Sequence, residues 1–168
     1  MGRVPPAGIA VGDEVQSEAL HSYVYPLIDE EQAEVMSVKV NHIAIVVEDI
    51  ERALGVYRDV LGLPLEHIAE ESAEQVRVAF LPAANGEIEL IQPTTDDSGV
   101  AKFLSKKGEG LHHICLEVDS IEAATAEMAA RGLEVLGQVR TNQRGEKYIF
   151  IHPKSAHGVL IELYERPG

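Results

Sequence analysis

The chain has no tryptophan, a single cysteine, only three phenylalanines and half as many basic as acidic residues. Each shortage excludes something. Cys115 has no partner for a disulfide within the chain, so no covalent staple is expected, which fits a reducing cytoplasm. Lys and Arg number 14 against 28 Asp and Glu, a formal net charge of −14. That balance lacks the basic footprint of a nucleic-acid-binding surface. It leaves an anionic small molecule possible as partner, because a few cations can gather locally. No run of about 18 apolar residues is present, so no transmembrane helix is predicted. The N-terminus has neither a long apolar run nor the Arg-rich, acid-poor character of a transit peptide, and a cytoplasmic protein is expected. What is present, 45% hydrophobic and 25% charged residues over 168 positions, suffices for one globular core.

Residues 1–38 hold Pro5, Pro6, Gly8 and Gly12 with many acids and no sustained periodicity, so they read as a poorly ordered extension. Residues 39–168 carry the pattern of a folded domain. Val40 to Val47 is rich in β-branched residues, and Ile50 to Leu61 has helical spacing with Asp49 as N-cap. Leu63 to Glu70, Val76 to Leu81 and Glu87 to Gln92 read as strands, with Asn85-Gly86 as a hairpin turn. A short helix is expected around Val100 to Lys106.

The pattern then restarts. Asn41-His-Ile-Ala-Ile-Val-Val-Glu-Asp-Ile-Glu-Arg-Ala-Leu54 aligns with His112-His-Ile-Cys-Leu-Glu-Val-Asp-Ser-Ile-Glu-Ala-Ala-Thr125. Each copy closes its helix on Gly-Leu, at Gly62-Leu63 and Gly132-Leu133, and Glu89 later matches Glu162. An internal repeat reports architecture directly. The reading is an α+β fold of two tandem βαβββ modules, about 40–95 and 110–165, forming a curved mixed sheet around a metal cleft, with one continuous core expected between them.

Each repeat supplies one His on its first strand and one Glu on its last: His42, Glu89, His113 and Glu162. Two-fold pseudosymmetry would bring two imidazoles and two carboxylates together. Such a set suits a divalent first-row ion, Co, Mn, Zn, Ni or Fe. A lone strand His or Glu is more often structural; recurrence at equivalent positions argues for a joint task. By strand alternation His112 should point away from His113. Cys115 reads as a packed residue beside the ion. His152 and His157 flank a loop near the expected site mouth and are candidate substrate contacts.

The segments Asn41-His-Ile-Ala-Ile-Val-Val, Gly110-Leu-His-His-Ile-Cys-Leu-Glu-Val-Asp and His152-Pro-Lys-Ser-Ala-His-Gly-Val-Leu-Ile-Glu-Leu163 resemble the methylmalonyl-CoA epimerases, within the vicinal-oxygen-chelate superfamily. Glu89-Leu-Ile-Gln-Pro followed by Ser98-Gly-Val-Ala-Lys-Phe-Leu104 extends the resemblance over residues 40 to about 165. It implies metal ligands at His42, Glu89, His113 and Glu162, cobalt as the favoured ion, a CoA thioester substrate and a homodimer. Several epimerases carry a third-strand glutamate as one of two catalytic bases, where this chain has Val78. Glu162 and Glu89 are therefore the expected pair of bases. Lys102, Lys106, Lys107, Lys147 and Lys154 are candidate partners for the CoA phosphates. The alternatives are a glyoxalase I-type isomerase and a metal-free binding module of the same fold.

Overall fold

The computed structural model describes residues 38–142 and 145–165. Apart from Val38, the expected N-terminal extension lies outside the described residues. In chain order the elements are β1 (Lys39–Val46), α1 (Ile50–Tyr57), β2 (His67–Glu71), β3 (Val76–Ala83), β4 (Gly86–Pro93), α2 (Gly99–Lys107), β5 (Gly110–Val118), α3 (Ile121–Ala130), β6 (Val135–Thr141), β7 (Lys147–Ile151) and β8 (Leu160–Glu165). The βαβββ pattern occurs twice, with α2 in the link. All eight strands join one mixed sheet in the order β2-β3-β4-β1-β5-β8-β7-β6. The first strands of the two repeats pair antiparallel at its centre, and each also pairs in parallel with the last strand of its own repeat.

The helices start where short polar side chains accept the first free amides. Arg52 N donates to Asp49 Oδ1 at 2.8 Å, Ala101 N to Ser98 Oγ at 3.0 Å and Ala123 N to Ser120 Oγ at 3.2 Å. The first helix is shorter than its hydrophobic spacing suggests. After Tyr57 the backbone widens, with Asp59 N on Leu54 O at 3.1 Å, and closes at Gly62, whose φ is 77°. Gly132, with φ 85°, closes α3 in the equivalent place.

Two apolar clusters lie where one continuous core was expected. Val47, Ile50, Leu54, Ala79, Leu81 and Leu90 bury α1 against β3 and β4. Val118, Ile121, Ala124, Ile149, Ile151 and Leu163 do the same for α3 against β7 and β8. Each helix covers its own half of the sheet, so the repeat is visible in the packing as well as the chain. The opposite face holds a third cluster, Ala44, Val76, Val78 and Ile91, and belongs to the site.

The sheet curls until its two ends meet. Tyr148 on β7 donates its hydroxyl to Glu74 Oε1 at 2.6 Å, and Arg140 Nη1 on β6 reaches the same oxygen at 3.2 Å. Glu74 sits in the turn between β2 and β3, at the far end of the strand order. Burial, with Glu74 beside it, pushes the Tyr148 phenol up to about 12, so it stays a donor.

Gly86 differs from expectation in a way that matters for the site. Ala83 pairs with Gly86 across the hairpin, leaving Ala84 and Asn85 as the turn and Gly86 as the first residue of β4. A Cβ on Gly86 would stand 3.1 Å from Asn41 O, and its φ is 140°. The glycine is there for the close approach of β1, at the residue preceding His42.

Candidate active site

Register assembles the site. On β1, Ala44 lies opposite both Glu89 and His113, while His42 lies opposite Cys115, which in turn neighbours Glu162 on β8. Cross-strand neighbours share a face, so these residues collect on the concave side. A cavity of about 320 Å³ there is lined by His42, Glu89, His113 and Glu162, all four of the side chains picked from the repeat.

Three donor atoms come to one place. His42 Nε2 is 3.0 Å from His113 Nε2, His113 Nε2 is 2.8 Å from Glu162 Oε2, and His42 Nε2 is 3.5 Å from the same oxygen. The residues are nearly dry, His42 8%, His113 5% and Glu162 9% exposed. Glu89 stands on the other side of the ring, its Oε1 3.4 Å from His42 Nδ1. Ligand atoms of His42, Cys115 and Glu162 lie within 4.8 Å of one another and could together hold a metal ion. Burial pushes the Cys115 thiol up, so it remains neutral beside the carboxylates.

Two bulges shape this centre, and alternation alone does not reveal them. Val40 pairs with Leu116 and His42 with Cys115, which leaves Asn41 as an extra residue on β1. Ala44 pairs with His113 and Ile45 with Leu111, which leaves His112 as the extra residue on β5. The bulged residues occupy equivalent places in the two repeats, and both turn into the cavity. His112 thus does not point away from His113: their Nδ1 atoms are 2.8 Å apart. Asn41 Oδ1 is 2.8 Å from His42 Nδ1, while its amide donates to Glu117 Oε1 at 2.9 Å. That second bond orients Asn41 with its oxygen toward the ring. When the ring is neutral, this makes Nδ1 the donor and leaves the Nε2 lone pair for a metal, the tautomer a metal ligand needs. Asn41→Ala is expected to weaken divalent-ion affinity about 10- to 100-fold, measured by calorimetric titration, with little change in fold by circular dichroism.

The charges compensate one another. Burial works against a charged His42, but the hydrogen bond to Glu162 and the nearby Glu89 and Glu87 outweigh it and raise its pKa. Burial likewise works against the Glu162 carboxylate, and the hydrogen bonds from His113 and His42 outweigh it, holding it at about 2. His112, half buried and next to His113, is pushed down to about 4 and stays neutral.

Other sequence candidates fall elsewhere. Val78 is buried in the apolar wall beside Val76 and Ile91 and offers no base. His152 caps the turn Pro153–Ser155, its Nδ1 accepting from Lys154 N at 3.0 Å, and His157 sits in the following turn with φ 51°. Neither lines this cavity. Lys147 is engaged by Glu122 at 2.8 Å and Glu165 at 3.1 Å, whereas Lys102, Lys106, Lys107 and Lys154 are exposed. Sequence reasoning missed Asn41 and His112 as orienting groups, although both immediately precede the paired histidines. It also missed the acidic wall of Glu71, Glu74, Glu87 and Glu146, for which no pattern gives a signal.

The model of the Glyoxalase/Bleomycin resistance protein/Dioxygenase superfamily matches residues 41–150. The human mitochondrial methylmalonyl-CoA epimerase is 39% identical over 127 residues, covering 74% of this chain and 72% of that protein. An ethylmalonyl-CoA/methylmalonyl-CoA epimerase of Cereibacter sphaeroides is 38% identical over 128 residues, 74% of this chain and 96% of its own length. The chain belongs to the methylmalonyl-CoA epimerase family of that superfamily. The fold agrees. A methylmalonyl-CoA epimerase solved with methylmalonyl-CoA and NH4+ superimposes with a TM-score of 0.70 at 32% identity, over 78% of this chain and 96% of that one. Family membership carries with it the eight-stranded α+β architecture described above, and the bulged first strands and paired histidines sit at its centre.

Proposed function

We propose that this chain inverts C2 of methylmalonyl-CoA, with Glu162 and Glu89 as the two bases. In this reading His42, His113, Glu162 and Glu89 hold a divalent cation, cobalt first among Co, Mn, Zn, Ni and Fe. The observation that carries it is the meeting of His42 Nε2, His113 Nε2 and Glu162 Oε2 within 2.8–3.5 Å in a nearly dry cavity, with a second carboxylate across the His42 ring. Mutually facing lone pairs at that spacing suit a shared cation. A cation held by these residues would supply Lewis-acid polarisation of the thioester carbonyl, making the C2 proton easier to remove.

The remaining work belongs to the protein. The proton on C2 leaves to a carboxylate on one face and returns from the other, so two carboxylates must flank the carbon. Glu162 and Glu89 approach opposite nitrogens of His42, which supports giving them opposite faces of the carbon. Glu162 is held ionised by N–H donors from the two histidines. With both Nε2 atoms given to the cation those bonds are lost, and in this reading the carboxylate becomes a useful base when it loosens its own contact with the cation, where burial raises its pKa. The apolar wall of Val76, Val78 and Ile91 keeps water from the reacting carbon. Asn41 holds His42 in the required tautomer. The family resemblance gives a homodimer, and the single cysteine fits a reducing cytoplasm.

The test is exchange. Purified protein reconstituted with cobalt is incubated with one C2 epimer of methylmalonyl-CoA in D2O. The expected result is formation of the other epimer with solvent deuterium at C2. Absence of both, with the ion bound, would sink the proposal.

A further inference from the structure

The hydrogen bonds behind the two paired histidines run in one direction, and Glu117 on β5 sets that direction from one end. Its Oε1 takes the Asn41 amide at 2.9 Å, and a carboxylate offers acceptors only. Asn41 therefore presents its oxygen to His42, 2.8 Å from Nδ1, and that nitrogen donates. Glu89 Oε1, 3.4 Å from the same nitrogen, is outside the usual range of an N–H···O bond. A neutral imidazole carries one N–H, so Nε2 of His42 is left as an acceptor. His113 Nε2 stands 3.0 Å from it and 2.8 Å from Glu162 Oε2. Facing two acceptors, His113 Nε2 holds the proton. Its Nδ1 is then an acceptor, and His112 Nδ1, 2.8 Å away, donates to it.

The repeats are unequal behind their histidines. Asn41 and His112 are equivalent bulged residues. The counterpart of Glu117 in the first repeat, however, is Val46, which is buried, and His112 packs edge-on against the Phe103 ring at 4.9 Å. One ligand thus has its proton fixed through a carboxylate, and the other has not. For His113 to offer Nε2 to a cation, the proton on the His112–His113 bond moves from one Nδ1 to the other. His113 gives its Nε2 proton to solvent water, and His112 takes one from solvent at Nε2. Both rings stay neutral, and the number of bound protons is unchanged. His42 needs no such exchange, because which nitrogen of an imidazole is protonated is set by the bond the other makes.

We propose that Glu117 is a positioning residue of the site: through Asn41 it presets His42 to bind a cation at Nε2, while His113 must exchange tautomers with His112. The inference rests on the metal reading given above. Glu117 does not line the cavity; it is half-buried on β5, with Lys39 and Tyr164 as its strand partners. It acts on the site only through the Asn41 amide.

The ring nitrogens report this without any measurement of activity. Two-bond 1H–15N correlation spectra of histidine-labelled protein, in alkaline buffer where the rings are neutral, show which nitrogen holds each proton. Metal-free protein should show Nδ1–H at His42 and His112 and Nε2–H at His113. Saturation with zinc, which is diamagnetic, should leave His42 unchanged and reverse the other two. Glu117→Leu frees the Asn41 amide to turn, so metal-free His42 should lose its Nδ1–H preference. Zinc affinity, measured by calorimetric titration, should fall about tenfold or more with it. Glu117→Gln keeps an acceptor oxygen and should retain both properties. Nε2–H at His42 in the metal-free protein, or rings of His113 and His112 unmoved by zinc, would overturn the proposal. So would a Glu117→Leu protein that denatures earlier yet keeps the His42 tautomer and the zinc affinity, since Glu117 would then serve the sheet alone. If the metal-loaded protein failed to epimerise the thioester, the functional reading would fall, while these spectra would still decide the role of Glu117.

Discussion

Glu162→Gln is expected to slow epimerisation and C2 exchange about 100- to 10,000-fold, the usual range for losing a positioned general base, while leaving a divalent cation bound. Glu162 Oε2 meets His113 Nε2 at 2.8 Å and His42 Nε2 at 3.5 Å. Glutamine keeps an oxygen at that point but has no useful proton affinity, so coordination and proton transfer separate. Metal content measured beside the exchange rate tells a lost base from a lost site. Glu89→Gln should have the same sign if Glu89 serves the opposite face, as proposed. Val78→Glu tests the departure from the family pattern. Val78 is 4% exposed among Val76, Ile91 and Ala44, and an unpaired carboxylate there costs about 1–3 kcal/mol at the least. That substitution should be neutral or harmful to rate and lower the denaturation midpoint. Near-normal exchange in Glu162→Gln, or a tenfold gain in Val78→Glu (about 1.4 kcal/mol of barrier), would show that the two bases are assigned wrongly.

Chelation is expected to remove activity, and the affinity for the returning ion to depend steeply on pH. In the metal-free protein the His42 pKa is raised: burial lowers it, but the hydrogen bond to Glu162 and the charges of Glu89, Glu162 and Glu87 prevail. A ligand imidazole must be neutral, so binding displaces this proton wherever the pH lies below the raised pKa. The sign follows. Affinity is highest above that pKa and falls as pH drops through it, about tenfold per pH unit for one displaced proton. The fall begins above the ordinary histidine value of about 6.5. Glu162, held at about 2, and His112, pushed down to about 4, do not change state between pH 8 and 6 and add nothing to the slope. Titration with cobalt at half-unit steps checks this. A flat affinity between pH 8 and 6 would remove His42 from the ligand set.

Replacement of Asn41 gives a smaller effect, and it marks where sequence reading stops. The repeat could be read because it is written in residue identity: His42 on His113, Glu89 on Glu162, Ile50 on Ile121 and Gly62 on Gly132. Duplicated identities need no coordinates to be seen, and they were sufficient for the βαβββ pattern and the four polar side chains that line the cavity, while the Asp49 cap was legible from its local sequence. Strand period and cap chemistry are local, fixed within a few residues of chain.

What the chain alone could not settle depends on pairing between distant strands. Strict alternation sends His112 away from His113. A one-residue bulge on β5, and its twin at Asn41 on β1, reverses that because the extra residue has no partner across the ladder and re-aims its side chain. Gly86 reads locally as a turn residue, and only the approach of β1 to 3.1 Å reveals its purpose. Likewise the acidic wall and the pairing of Tyr148 with Glu74, 74 positions apart, follow from the sheet closing on itself. Residue identity therefore determined the fold, the family and the four polar side chains of the cavity. The tertiary structure decided which nitrogen of His42 faces its neighbours and which carboxylate stands on which side, because each is set by the register and curvature of strands far apart in the chain.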